Sequence, residues 1–67
     1  MNYTIETEIE DDGRWIAEVA EIPGVMAYGS TRDEAIANAK ALALRVLADR
    51  VQESRSADSI TISFAAA

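Results

Sequence analysis

One short stretch, from Ile22 to Ala35, constrains the fold of this chain more than any other. Pro23-Gly24 predicts a type II turn, because proline fixes φ at the second turn position and glycine accepts a positive φ at the third. Four apolar residues follow, enough for a short strand, and Gly29 ends that strand. Thr31 and Glu34 then have the spacing of a capping box, in which the threonine hydroxyl accepts a hydrogen bond from the Glu34 amide and the Glu34 carboxylate reaches back to the Thr31 amide. The stretch predicts a turn, a strand and a helix start, and nothing in it indicates catalysis.

The residues before this stretch predict a β-hairpin. Residues 3–10 alternate between Tyr, Ile or Thr on one face and mostly Glu on the other, a period of two that is typical of a half-buried strand. Asp12-Gly13 suits the positive φ values of a hairpin loop. Residues 14–19 form the returning strand, and Val25 to Tyr28 add a third.

The residues after the stretch predict one long helix and a last strand. The helix is expected from about Arg32 to about Glu53, because apolar residues recur there at steps of three and four. These residues are Ala35, Ile36, Ala39, Leu42, Ala43, Val46, Leu47 and Val51. A polar connector leads to the alternating residues 59–64, a fourth strand, and the three C-terminal alanines are expected to pack against nothing. The order βββαβ predicts an α+β fold of two layers, an antiparallel sheet with one helix on one face, and a single domain over residues 1–67.

Composition excludes several kinds of site. The chain has no cysteine, hence no disulfide or reactive thiol, and no histidine, which removes the usual general base and the commonest metal ligand. We therefore expect no cofactor, no metal and no catalytic residue. No apolar run approaches the ~20 residues of a membrane span, and the N-terminus lacks the features of a signal peptide. The expected location is the cytoplasm.

The net charge of −6 lies entirely in the first third of the chain. Residues 1–21 hold seven acids and one base, Arg14, whereas residues 22–67 hold five acids and five bases. Such an acidic pole disfavours nucleic acid phosphates and favours a basic protein partner. The alternative is that it only provides solubility.

Strand alternation also predicts where a partner would bind. The residues expected to face the helix are Ile5, Ile9, Trp15, Val19, Val25, Ile60, Ile62 and Phe64. Their neighbours then share the opposite face. That face is expected to hold the partner-binding residues Glu6, Glu8, Ile16, Glu18, Met26 and Tyr28.

Three segments together resemble the HicB-like antitoxin domain. They are the acidic-Gly hairpin Asp12 to Ala17, the Ile22-Pro23-Gly24 turn, and the helix start Gly29 to Ala35 followed by Asn38. The resemblance covers roughly residues 2–50. It implies a partial ribonuclease-H-like βββαβ fold. It also implies a bacterial antitoxin that binds and inhibits HicA, a small basic toxin that cleaves messenger RNA.

The chain departs from that family in two ways. Val25 stands where many relatives have a cysteine. The chain also stops at Ala67, where full-length antitoxins continue into a DNA-binding domain, so we expect a short HicB-type domain without sequence-specific DNA binding.

Three functions stay open at this point. The first is an antitoxin, and the second is an orphan homo-oligomeric interaction module with no toxin partner. The third is an enzyme that uses its carboxylates to bind metal ions, which the solvated positions of the acids disfavour. Short length, open sheet edges and the leftover apolar residues Ile16, Met26, Tyr28 and Leu44 predict a dimer or a higher homo-oligomer.

Overall fold

The strands and the helix follow one another in the predicted βββαβ order. The computed structural model describes all residues from Met1 to Ala67. Its elements are β1 (Asn2–Ile9), β2 (Trp15–Val19), β3 (Met26–Gly29), α1 (Arg32–Ser54) and β4 (Ser63–Ala66). The predicted α+β fold, with one helix on one sheet, is confirmed.

The sheet is mixed rather than wholly antiparallel. Its order is β3-β2-β1-β4, and β1 pairs antiparallel with β2, as β2 does with β3. β4 pairs parallel with β1, so the prediction of an antiparallel sheet was wrong for this strand. The physical reason is the helix, because a helical crossover carries the chain back along the sheet and the next strand runs parallel to the one before it.

The fourth strand also begins later than predicted. Phe64 lies beside Tyr3, with ring centroids 5.6 Å apart. The C-terminal alanines, expected to pack against nothing, continue the strand, and the Ala67 amide donates to the Ile5 carbonyl at 2.8 Å. β4 begins at Ser63 because Ser63 pairs with Asn2, the first residue of β1. Residues 59–62, predicted as strand, precede β4.

The two glycine turns form as the sequence predicts. Gly24 has φ +85°, and the Val25 amide donates to the Ile22 carbonyl at 3.1 Å, which closes the Pro-Gly turn. Gly13 has φ +87° and donates to the Glu10 carbonyl at 2.9 Å, which closes the hairpin. Both turns need a residue that tolerates positive φ, and glycine does so without steric cost.

The helix start is a capping box with one changed partner. The Glu34 amide donates to the Thr31 hydroxyl at 3.1 Å, as predicted. The Glu34 carboxylate was expected to reach the Thr31 amide, but it instead accepts from the Ser30 amide at 3.3 Å and the Ser30 hydroxyl at 3.0 Å. Ser30 donates once to each carboxylate oxygen, whereas the Thr31 hydroxyl accepts the Glu34 amide. The same hydrogen bonds hold the chain between β3 and α1.

The core lies between α1 and the sheet. Its buried members are Ile5, Ala17, Val19, Ile22, Val25, Ala35, Ile36, Ala39, Ala43 and Leu47. Two residues predicted to face the helix are instead exposed, Ile9 at 57% and Ile60 at 44%. Ile9 ends β1, which α1 covers less than it covers β2 and β3, and Ile60 precedes β4. Trp15, Ile62 and Phe64 pack partly buried against the core.

Gly29 and Asn38 connect β3 to the helix. Gly29 is buried at the end of β3, and a Cβ added there would lie 2.9 Å from the Ala35 Cα. The Asn38 side-chain amide donates to the Tyr28 carbonyl at 2.9 Å. A glycine and an asparagine at these positions therefore allow the helix to approach the strand closely and hold it there.

Candidate partner-binding site

The face of the sheet opposite α1 brings all six predicted partner-binding residues together. We call it the acidic face, and it consists of Glu6, Glu8, Ile16, Glu18, Met26 and Tyr28. Glu6 lies opposite Glu18, which lies opposite Met26, and these three residues form one row across β1, β2 and β3. Glu8, Ile16 and Tyr28 form the next row. The rows are adjacent because the three strands keep one register over this length.

The carboxylates of the acidic face have no cationic partner within the chain. The molecule contains a single ion pair, between Arg14 and Asp12 at 2.7 Å. Glu6 and Glu18 are directly opposite each other, an arrangement that destabilises a sheet when the charges are alike. With Glu8 and Glu10 they line a depression of about 260 Å³ whose other walls include Ile16 and Met26. The negative charge here therefore remains available to an external cation.

Exposed apolar side chains lie beside these carboxylates. Met26 is 45% exposed and Tyr28 is 46% exposed, although both are large side chains. Ile16 is half-buried between them and β1. Large apolar and aromatic groups of this kind commonly supply most of the binding energy of a protein interface. The acidic face thus combines unpaired charge with apolar contact area.

Arg14 belongs to the same face, and the sequence analysis did not include it. Its guanidinium lies 4.5 Å from the centroid of the Tyr28 ring, in a cation–π contact. Asp12 holds the guanidinium from the hairpin loop at 2.7 Å. The alternation that places Ile16 and Glu18 on this face also places Arg14 there, so the signal was present in the sequence. Tyr28 is therefore already a site that accepts a cation.

Two further carboxylates, those of Asp12 and Glu21, stabilise the loops next to the acidic face. The Arg14 amide donates to Asp12 at 3.0 Å, and this bond, followed by the guanidinium contact, lowers the pKa of Asp12 below its ordinary value of 3.8. The Thr4 amide donates to Glu21 at 2.8 Å and lowers the pKa of Glu21 below 4.5. Both groups are bonded within the chain in their ionised form and stabilise the loops at the two ends of β2.

The charged and apolar groups of the acidic face are spread over two rows of side chains. No group of three or more Asp or Glu side chains lies close enough together to hold a metal ion. Separately, α1 lacks the continuous apolar length that a membrane-spanning helix needs. Each row has carboxylates at one side of the face and apolar groups at the other. This arrangement is complementary to a partner surface that carries cations around apolar groups.

Comparison with known proteins identifies a similar fold. No family model and no curated protein matches the chain. The solved N-terminal domain of the antitoxin HicB from Burkholderia pseudomallei is similar, with a TM-score of 0.65 and 27% identity over 88% of this chain and 68% of that chain. The resemblance inferred from the hairpin, the Pro-Gly turn and the helix start is thereby confirmed, and the chain is a HicB-like domain in fold.

Proposed function

We propose that this HicB-like domain is an antitoxin-like protein that binds and inhibits a small basic toxin of the HicA type, which cleaves messenger RNA. Its similarity to the N-terminal domain of an antitoxin supports the general class. The observation that carries the choice of partner is the acidic face, where Glu6, Glu8 and Glu18 are unpaired beside exposed Met26 and Tyr28. We place this activity in the bacterial cytoplasm.

The two kinds of group on the acidic face would act at different stages of binding. Unpaired carboxylates attract a basic partner and raise the rate of encounter, whereas buried apolar anchors lengthen the lifetime of the complex. A toxin that cleaves RNA needs its own cationic surface for phosphates. Carboxylates that occupy this surface would exclude RNA by competition, and inhibition then requires no chemistry from the antitoxin.

The proposal includes three further statements about the chain. It acts by binding and not as an enzyme, it does not bind DNA with sequence specificity, and it associates with itself. The second candidate function is an orphan homo-oligomeric module without a toxin. The exposed apolar side chains on both layers, Met26 and Tyr28 on the sheet and Leu44 on the helix, favour association in either case.

The test measures binding of the product of a short basic reading frame beside this gene. The reading frame sought is one that encodes a histidine, which is replaced so that the toxin can be produced safely. Association is followed by stopped-flow fluorescence at low and moderate salt. In the chain, Glu6→Lys with Glu8→Lys should slow association roughly tenfold or more at low salt. The difference should shrink as salt rises, because screening already weakens the wild-type attraction.

The matched control reverses two charges away from the acidic face. Asp49→Lys with Glu53→Lys changes the net charge by the same amount on exposed positions of α1. This variant should keep most of the association rate. Equal slowing by both pairs would mean that only net charge matters, and unaltered kinetics in the Glu6 and Glu8 pair would place the binding surface elsewhere. The absence of binding to the inactivated toxin, together with unchanged RNA cleavage when the chain is added to small amounts of the active toxin, would refute the antitoxin function and favour the orphan module.

A further inference from the structure

A second apolar surface lies on the helix layer, away from the acidic face. It is a groove of about 390 Å³ between the C-terminal half of α1 and the chain that approaches β4. We call it the helix groove, and its apolar lining is Leu44, Leu47, Ala48, Val51 and Ile62. Leu44 stands at its rim and is 47% exposed.

The helix groove exists because α1 is longer than the sheet it covers. At ~1.5 Å per residue, the 23 residues of α1 extend for about 34 Å. β2 and β3, against which α1 packs, have only five and four residues. The C-terminal half of the helix therefore has apolar side chains that the sheet does not cover, and the returning chain places only Ile62 in the groove.

We propose that the helix groove is the interface between two copies of this chain. Charge is the first reason. Two acidic faces would repel each other, since they would bring Glu6, Glu8 and Glu18 of both copies together, and the one base of the face, Arg14, is already paired with Asp12. The helix groove is lined by no charged side chain, and residues 22–67 carry no net charge. The groove therefore lets two acidic molecules associate while their acidic faces stay apart, and it offers a basic partner no electrostatic gain.

Self-complementarity is the second reason. A two-fold interface uses the same patch on both molecules, so the patch must supply both a projecting group and a cavity that receives it. The groove has both, because Leu44 projects at its rim. Small residues, Ala41 and Ala48, lie one turn to either side of Leu44 and allow two helices to approach closely.

The charges at the ends of the helix agree with an antiparallel pair centred on Leu44. Asp33 and Arg55 lie equally far from Leu44 along the chain, in opposite directions, and both are exposed. Antiparallel pairing would bring Asp33 of one copy near Arg55 of the second copy at each end of the interface. A parallel pair would instead set like charges side by side.

The experiment uses sedimentation velocity and disulfide trapping on the full chain. The wild type should form a dimer at high micromolar concentration, and Leu44→Glu should raise the dimer Kd about 30-fold or more, the change expected for a central interface residue. Leu44 is exposed, so circular dichroism should be unchanged; Ala48→Glu provides a second variant at the same groove. Glu6→Lys with Glu8→Lys is the control and should remain dimeric.

The chain has no cysteine, which makes trapping specific to the position chosen. Under mild oxidation, Leu44→Cys should cross-link to its own copy, because residues at a two-fold axis approach within disulfide range. Glu6→Cys on the acidic face should not. The helix groove would be refuted as the interface if the dimer persisted in Leu44→Glu and Ala48→Glu, or if it cross-linked only through Glu6→Cys. Self-association itself would then still hold.

The helix groove as an interface depends on the proposed self-association and not on toxin binding, and different measurements would refute the interface and the antitoxin function. A wild-type monomer at high micromolar concentration would overturn both the helix groove as an interface and self-association. The antitoxin function is judged separately by the association kinetics of the Glu6 and Glu8 variant.

Discussion

Gly29→Ala tests how closely β3 and α1 approach each other. Gly29 is buried at the end of β3 and is not among the glycines with positive φ, so its backbone suits alanine. The added Cβ, however, would lie 2.9 Å from both the Ala35 Cα and the Glu34 carbonyl carbon. These are main-chain atoms of the first helical turn, which cannot move aside by a side-chain rotation. The substitution therefore requires the helix start to shift away from the strand.

The sign of the stability change in Gly29→Ala shows which of two contributions is larger, the reduced backbone freedom of alanine or its steric overlap with the helix. Without steric overlap, alanine in place of a strand glycine would stabilise the fold by roughly 0.5–1 kcal/mol. Overpacking costs about 1–3 kcal/mol, and contact with rigid backbone places this site at the upper end. We expect a net loss of ~2 kcal/mol. For a chain of this size the total free energy of unfolding is ~3–10 kcal/mol, and the melting temperature should fall by roughly 8–16 °C.

Urea and thermal unfolding measure this loss directly. Trp15, the only tryptophan, pairs with Gly29 and reports the local packing by fluorescence, while circular dichroism reports the whole fold. Gly24→Ala is the matched control, because Gly24 has φ +85° but nothing within 4 Å of an added Cβ. The free energy of unfolding of the Gly24→Ala protein should fall only by the ~1–2 kcal/mol that a left-handed backbone conformation costs alanine. A Gly29→Ala protein as stable as the wild type, or more stable, would refute the close approach of strand and helix.

The remaining predictions concern the helix cap, pH and DNA. Thr31→Ala removes the hydroxyl that accepts the free Glu34 amide in the first helical turn, and urea unfolding should show a loss of ~1 kcal/mol, whereas Thr31→Ser should keep most of the wild-type stability. The pKa values of Asp12 and Glu21 are lowered in the folded chain, so both carboxylates stabilise the fold when they are ionised. Their contribution to the free energy of unfolding is present above the ordinary pKa values of 3.8 and 4.5, and it is lost as pH falls through the lower folded values. Stability should therefore drop below about pH 4.5, and Glu21→Gln should weaken the drop in pH-dependent unfolding; an identical profile would contradict the Thr4 contact. The chain should give no salt-sensitive gel shift at submicromolar concentration with DNA from its own promoter, and such a shift would contradict the proposed lack of operator binding.

The local signals in the sequence were sufficient for most of the fold. Pro23-Gly24 favours a type II turn, and the spacing of Thr31 and Glu34 favours a helix start there, so both were predicted at the right residues. The helix was placed to within one residue of its end. Period-two alternation likewise placed the six residues of the acidic face together, since strand geometry allows successive side chains no other arrangement.

What the sequence left undetermined depends on contacts between distant segments. Residues 59–64 alternate well, yet β4 begins only at Ser63, which pairs with Asn2 at the start of β1. The direction of β4 follows from the helical crossover and not from any residue in β4 itself. Ile9 has the pattern of a core residue but lies at the end of β1, which α1 covers less than it covers β2 and β3. Alternation decides which face a side chain joins, and only the tertiary structure decides whether another element covers that face.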